Sequence, residues 1–135
     1  MNIVQEVKKL ELPAGEYMVF GSGVMSALGI KESQDIDLLV SPDLFYELKT
    51  RGWAQDEKEI DGRMRTRLVF GIFEAHKDFW YGAEDQDVLG MIQKTQLIEE
   101  IPFMSLEDTM EMKLRFGREK DLKDIELIKA YLASR

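Results

Sequence analysis

The stretch Phe20-Gly21-Ser22-Gly23-Val24-Met25-Ser26-Ala27-Leu28-Gly29, answered a few residues later by Asp35-Ile36-Asp37-Leu38-Leu39-Val40, decides the fold. Glu16 to Phe20 reads as a short buried strand that runs into Gly21-Ser22-Gly23. Val24, Met25, Ala27 and Leu28 mark a brief helix, and Gly29 stops it. Asp35 to Val40 reads as a second strand, with Ile36, Leu38 and Val40 on one face and Asp35, Asp37 and Leu39 on the other. A glycine and serine at a strand-to-helix turn leave backbone N–H groups free for phosphate oxygens. Two aspartates one residue apart share a face and can share divalent ions, and Mg²⁺ favours hard carboxylate and phosphate oxygens. Two such ions clamp the attacking and leaving oxygens of an in-line phosphoryl transfer.

On the N-terminal side, Ile3, Val4, Val7 and Leu10 have helical spacing, ended by Pro13-Ala14-Gly15. On the C-terminal side, Ser41-Pro42-Asp43 is a helix start: N-cap serine, proline at the first position, acid in the first turn. Leu44, Phe45 and Leu48 form that helix's apolar face, and Gly52-Trp53 closes it. Asp61-Gly62 signals a hairpin between Gln55–Ile60 and Arg63–Phe70, and Gly71 turns the chain into a strand over Ile72–Phe79. Trp80 to Gly90 is acidic and glycine-bearing, so a loop is expected. Thr95 to Ile101 is expected as a last strand. Ser105-Leu106-Glu107-Asp108 opens a helix whose expected buried face is Leu106, Met110 and Leu114. Gly117 interrupts the pattern, which Leu122, Ile125, Ile128 and Leu132 resume. The expectation is an α/β (α+β) fold, a small mixed sheet flanked by helices, as one domain over 1–135 with C-terminal helices at 105–133 packed on it.

The whole chain of 135 residues is the size of one domain and carries a net charge of −8. That charge argues against a generic nucleic-acid binder, which needs a basic footprint. It also opposes free ATP unless metal ions or a local basic patch intervene. No apolar run approaches the roughly 18 residues of a membrane span, so no membrane partner is expected. The first residues lack the basic-then-apolar order of a secretory signal. With no cysteine, disulfides, thiolate metal sites and cysteine nucleophiles are excluded, which fits a cytoplasmic location. A single histidine, His76, excludes three-histidine and His-Glu-x-x-His metal sites.

Phe20-Gly21-Ser22 followed by Asp35-Ile36-Asp37-Leu38 resembles the signature of the DNA polymerase β-like nucleotidyltransferase superfamily. Ser105 to Lys113 and Arg118-Glu119-Lys120-Asp121-Leu122-Lys123-Asp124-Ile125 are similar to the C-terminal helices of its small members. These include proteins related to abortive-infection and toxin–antitoxin nucleotidyltransferases. The likeness runs from about Tyr17 to Leu132. It implies a nucleotidyltransferase fold, an NTP substrate with Mg²⁺ or Mn²⁺ as cofactor, and transfer of a nucleoside monophosphate to a hydroxyl. It further implies that Gly21 and Ser22 hold the triphosphate and that Asp35 and Asp37 bind metal. Glu74 is the best match for the third carboxylate, with Asp78 in reserve on the same strand face. Lys113 either reaches a nucleotide phosphate or pairs with Glu107, Glu111 and Asp121.

Other residues carry two readings each. Arg63, Arg65 and Arg67 alternate along one strand face, as a cradle for triphosphate or an acidic partner, or as a solvated outer face. His76, two residues from both Glu74 and Asp78, is a metal ligand, a tuner of a carboxylate or a structural residue. Gly21-Ser22-Gly23 lacks the spacing of a dinucleotide fingerprint. The rival to an enzyme is a catalytically inactive interaction protein on the same scaffold, antitoxin-like, with a protein partner. Homodimerisation through the last helices is a third possibility.

Overall fold

The computed structural model of the chain describes all residues, 1–135. Helix α1 (Ile3–Lys8) is capped by Asn2, which accepts from the Gln5 N–H, and buries Ile3, Val4 and Val7. Strand β1 (Tyr17–Phe20) is buried along its whole length, as expected of a central strand. Helix α2 (Ser22–Ala27) follows at once, with Gly21 as N-cap. Strand β2 (Ile36–Val40) buries all but Asp37. Helix α3 (Pro42–Thr50) begins where the serine–proline start places it, with Ser41 Oγ accepting from the Leu44 N–H. Strands β3 (Ala54–Ile60) and β4 (Arg63–Phe70) form the hairpin around Asp61-Gly62, and β5 (Phe73–His76) follows the turn at Gly71.

Beyond β5 the sequence expectation is corrected in two places. Trp80 to Gly90 is not simply a loop: β6 (Trp80–Tyr81) and β7 (Glu84–Asp85) pair as a two-stranded ribbon, and α4 (Val88–Gln93) starts at Asp87, whose side chain caps the Gly90 N–H. Thr95 to Ile101 is not one strand. It holds β8 (Gln96–Ile98) and a tight turn at Glu99-Glu100, both at positive φ, before β9 (Ile101–Phe103). Two glutamates hid this turn, because the glycine or asparagine that advertises one is absent.

Helices α5 (Leu106–Phe116) and α6 (Glu119–Ala133) close the chain. Ser105 caps α5, and Gly117, in the left-handed region at φ 61°, ends it. The buried face of α5 is Thr109, Met112 and Lys113, not Leu106, Met110 and Leu114; Leu114 is 58% exposed. Likewise α6 buries Asp121, Asp124, Ile125 and Ile128 and exposes Leu122 and Leu132.

The seven-stranded sheet is mixed, in the order β3-β4-β5-β2-β1-β9-β8. Within it β5 and β2 are parallel, as are β1 and β9, and the other neighbours are antiparallel. Register decides the faces, because cross-strand partners project from the same side. Phe20 pairs with Asp37, Asp37 with Glu74, Arg67 with His76 and Lys58 with Arg65. One face of the sheet is therefore a polar band. The opposite face carries Ile36, Leu38, Phe73, Ala75 and Leu68, which join α1 and α3 residues in a core of 25 buried hydrophobic residues. Trp53, just beyond α3, stacks on Phe70 at 5.2 Å on that side. No helix is long and apolar enough to cross a membrane.

Candidate active site

Asp37 stands at the centre of the polar band because β2 alternates: its neighbours Ile36 and Leu38 point into the core. Glu74 is its register partner on the parallel strand β5. Gly21 abuts both the turn and the acid: at φ 71°, ψ −145° it has a backbone that excludes side chains, and a Cβ there would lie 3.4 Å from Asp37 Oδ2. Ser22 Oγ lies 3.0 Å from Ser33 Oγ, and Ser33 donates to the Asp35 carbonyl at 2.6 Å. The two hydroxyls thus tie the start of α2 to the segment that leads into β2.

Asp37, Glu74 and His76 each place a donor atom within 4.8 Å of the others, a group that can hold a metal ion. Asp35 is not part of it. It sits exposed at a bend before β2 and does not line the cavity described below. Asp78 is also outside: β5 ends at His76, and Asp78 is exposed and pairs with Lys77 at 3.1 Å. The two carboxylates that converge are Asp37 and Glu74. Glu74 also receives a hydrogen bond from Arg67, whose Nε donates to Asp56 at 2.6 Å. The Asp56 hydrogen bond raises the Arg67 pKa and lowers that of Asp56.

His76 is only 3% exposed, with its Nε2 3.3 Å from Asp37 Oδ1 and its Nδ1 buried without a partner. The tautomer with its proton on Nε2 donates to Asp37 and leaves only an acceptor unmet. With the proton on Nδ1 instead, Nε2 is free to ligate a metal and the unmet buried atom is a donor rather than an acceptor, at a similar cost of about 1–3 kcal/mol. His76 Nε2 can thus donate to Asp37 or, in the other tautomer, join Asp37 and Glu74 in holding a metal ion. Phe20 packs edge-on against the imidazole at 5.8 Å. Sequence alone flagged His76 through its shared strand face with Glu74.

These groups open onto a cavity of about 550 Å³, within the roughly 300–1,000 Å³ of small-molecule sites. Its far wall is α5 and α6, through Met112, Lys113, Phe116, Asp121 and Asp124. Six of the chain's 18 basic side chains line it: Lys31, Lys58, Arg65, Lys113, Arg118 and Lys120. Six acidic side chains, Asp37, Glu59, Asp61, Glu74, Asp121 and Asp124, line it as well, so the lining carries both signs of charge in equal number. A second cavity of about 170 Å³, by Met18, Tyr81, Met91 and Met104, contains none of the converging donors.

Lys113 lines the cavity but is committed within the protein: its Nζ lies 2.8 Å from Asp124 Oδ2 and 4.0 Å from Asp121 Oδ1. Glu107 and Glu111 are not its partners. Asp124 takes a second lysine, Lys31, on its other oxygen at 2.8 Å. Burial pushes the Asp124 pKa up, but the two lysines outweigh it and hold the carboxyl below its ordinary range. Lys31 and Asp124 were not among the expected site residues. A signal was available for the latter, since Asp121 and Asp124 share the helical spacing of Ile125 and Ile128 and so had to lie on the buried face.

The arginine stripe is not a solvated outer face. Arg63 pairs with Asp85 at 2.8 Å and lies over the Trp80 ring at 4.1 Å. Arg67 joins Asp56 to Glu74. Arg65, 4% exposed, stacks on Trp80 at 4.6 Å and leaves its Nε and Nη2 without partners. Burial draws its pKa below the ordinary arginine value, against the opposing charges of Asp37, Asp78 and Asp61.

Compared with protein-family models, with curated proteins and with solved structures, the chain matches none. What the site does must be read from its own geometry.

Proposed function

We propose that the protein is a metal-dependent nucleotidyltransferase-like domain, of the DNA polymerase β-like superfamily, that binds an NTP and transfers its nucleoside monophosphate to a hydroxyl acceptor. The observation that carries this reading is the pairing of Asp37 with Glu74 on adjacent parallel strands, directly beside the Gly21-Ser22 turn and facing the large cavity. The donors are carboxylate oxygens, which suit Mg²⁺ or Mn²⁺. Asp37 and Glu74 are the proposed ligands, and such an ion would neutralise the phosphate charge that otherwise repels the two acids. Gly21 and Ser22 present backbone N–H groups to phosphate oxygens. Catalysis is then positioning and electrostatic stabilisation of the transferring phosphoryl group, with little covalent work by the protein.

Label from α-labelled ATP, incubated with Mg²⁺ or Mn²⁺ and candidate protein acceptors, should appear on an acceptor. Asp37→Ala should weaken metal-dependent ATP binding at least tenfold, about 1.4 kcal/mol, with an unchanged circular dichroism spectrum. Unaltered binding by that variant would refute the assignment. The second reading, an inactive interaction protein of the antitoxin-like kind, is favoured by two observations: Glu74 is engaged by Arg67, and Asp35 stands apart. Tight complex formation with a partner protein and no label transfer would select it.

A further inference from the structure

On the polar face of the sheet the carboxylates of Asp37 and Glu74 converge with the imidazole of His76, each placing a donor atom within 4.8 Å of the others. Two carboxylates alone would leave the choice of divalent ion open; the imidazole decides it. His76 is 3% exposed, and outside this group its ring has no hydrogen-bonding partner, because Nδ1 meets none. Its Nε2 stands 3.3 Å from Asp37 Oδ1, beyond the roughly 2.7–3.2 Å of an ordinary N–H···O bond. Two ligands bonded to one ion at about 2.0–2.2 Å stand about 2.8–3.6 Å apart, so the same gap fits the edge of a coordination polyhedron. Asp37 and Glu74 are partly exposed and able to turn toward an ion, whereas buried His76 is fixed, with Phe20 edge-on at 5.8 Å. Arg67 holds one Glu74 oxygen and is itself held by Asp56, an outer shell that leaves the other oxygen for an ion. In either tautomer Nδ1 stays unmet, so ligation through Nε2 adds no burial cost that the ring otherwise avoids.

We propose that Asp37, Glu74 and His76 form a transition-metal site that takes Zn²⁺, Co²⁺ or Mn²⁺ onto the protein before any nucleotide arrives and discriminates against Mg²⁺. Imidazole suits Zn²⁺ and its neighbours in the series, while Mg²⁺ prefers oxygen, gives up water reluctantly and relies on substrate phosphates for much of its shell. One nitrogen and two carboxylate oxygens fill three positions and leave the rest to water or substrate, the open arrangement of a catalytic ion. Zn²⁺ should bind more tightly than Mn²⁺, following the usual order of divalent ions. The ion's part in catalysis rests on the nucleotidyltransferase reading; its seat on His76 rests on the geometry alone.

Titration of the EDTA-treated, dialysed full chain with Co²⁺, in the absence of nucleotide, tests this. Visible absorption should show one Co²⁺ bound per chain, displaced by Zn²⁺ and retained in a hundredfold excess of Mg²⁺. Because the chain has a single histidine, proton NMR of the Co²⁺ form should show one exchangeable imidazole N–H shifted far outside the diamagnetic range. His76→Gln should lose that signal and bind Co²⁺ at least tenfold more weakly. If His76→Gln does not fold, Glu74→Gln at the partly exposed ligand should show the same loss of affinity, and the wild-type signal decides without either variant. The proposal is overturned by absent Co²⁺ binding, by a missing shifted N–H, by displacement with Mg²⁺, or by a loss under tenfold in His76→Gln. Label transfer with Mg²⁺ by a protein that binds no Co²⁺ would overturn this site and leave the nucleotidyltransferase reading standing. That reading fails separately: the Co²⁺ form would then carry the shifted signal yet neither bind ATP nor pass its label to an acceptor.

Discussion

Gly21 shows how much one residue decides. Its backbone angles belong to glycine, and a Cβ there would touch the Asp37 carboxylate, 3.4 Å from Oδ2. Gly21→Ala should cost about 1–3 kcal/mol of stability from strain alone, and relief of that strain in the turn that touches Asp37 should weaken Mn²⁺ binding. Gly29→Ala is the control: it has φ 75° but open space around the added atom, so it should lose stability and keep its metal affinity. Urea midpoints and Mn²⁺ titration by electron paramagnetic resonance separate the two effects. If both variants bind Mn²⁺ like the wild type, the contact between turn and acid has no consequence for the site.

At the scale of elements, the junction of α5, α6 and the segment after α2 rests on one carboxylate. Asp124 bonds Lys113 from α5 through one oxygen and Lys31 through the other. Removing it by Asp124→Ala leaves buried Lys113 with only Asp121, at 4.0 Å, so a loss of about 3 kcal/mol is expected. Ser105→Ala removes only the α5 cap and should cost about 1 kcal/mol. The folded pKa of Asp124 is held below its ordinary value of 3.8, which sets the sign of its pH dependence. Its contribution is complete above that ordinary value, and it is lost as pH falls through the lower, folded one. Between pH 5 and pH 2 the wild type should therefore lose more stability than Asp124→Asn. Parallel acid-limb curves for the two proteins would show that the two lysines do not stabilise the ionised form.

Across the whole molecule, the sheet separates two tasks by its two faces. The apolar side is closed by α1 and α3, and the polar side, roofed by α5 and α6, opens as the cavity. Phe103, fully buried on β9, lies in the parallel pairing that joins β1 to the last hairpin. Phe103→Ala should cost about 3–5 kcal/mol, and the loss should spread to both faces through β1. Thermal unfolding should remain a single transition, and a separate early melting of the C-terminal helices would argue against one cooperative core. The outer edge, β3, is exposed along nearly its whole length and carries Asp56, Glu57, Lys58 and Glu59. Such charge discourages pairing with a second sheet edge.

Local order was readable in the chain wherever a short-range rule applied. Alternation over Asp35 to Val40, the serine–proline start of α3, the Asp61-Gly62 hairpin and the Gly117 stop each act within a few residues, so their physics is written in consecutive letters. The adjacency of Asp37 and Glu74 depended on which strands pair and in what register, a long-range choice made by burial of the whole sheet. The same choice left Asp35 outside, because a shared strand face does not oblige two side chains to meet. It also sank the middle arginine of three beneath Phe79 and Trp80 while its neighbours found carboxylates. On α5 and α6 helical period was visible, but which stripe went inward was settled by Lys113 meeting Asp124. Two opposite charges can share a buried face only when folding brings them together, and no spacing along one helix records a partner on another.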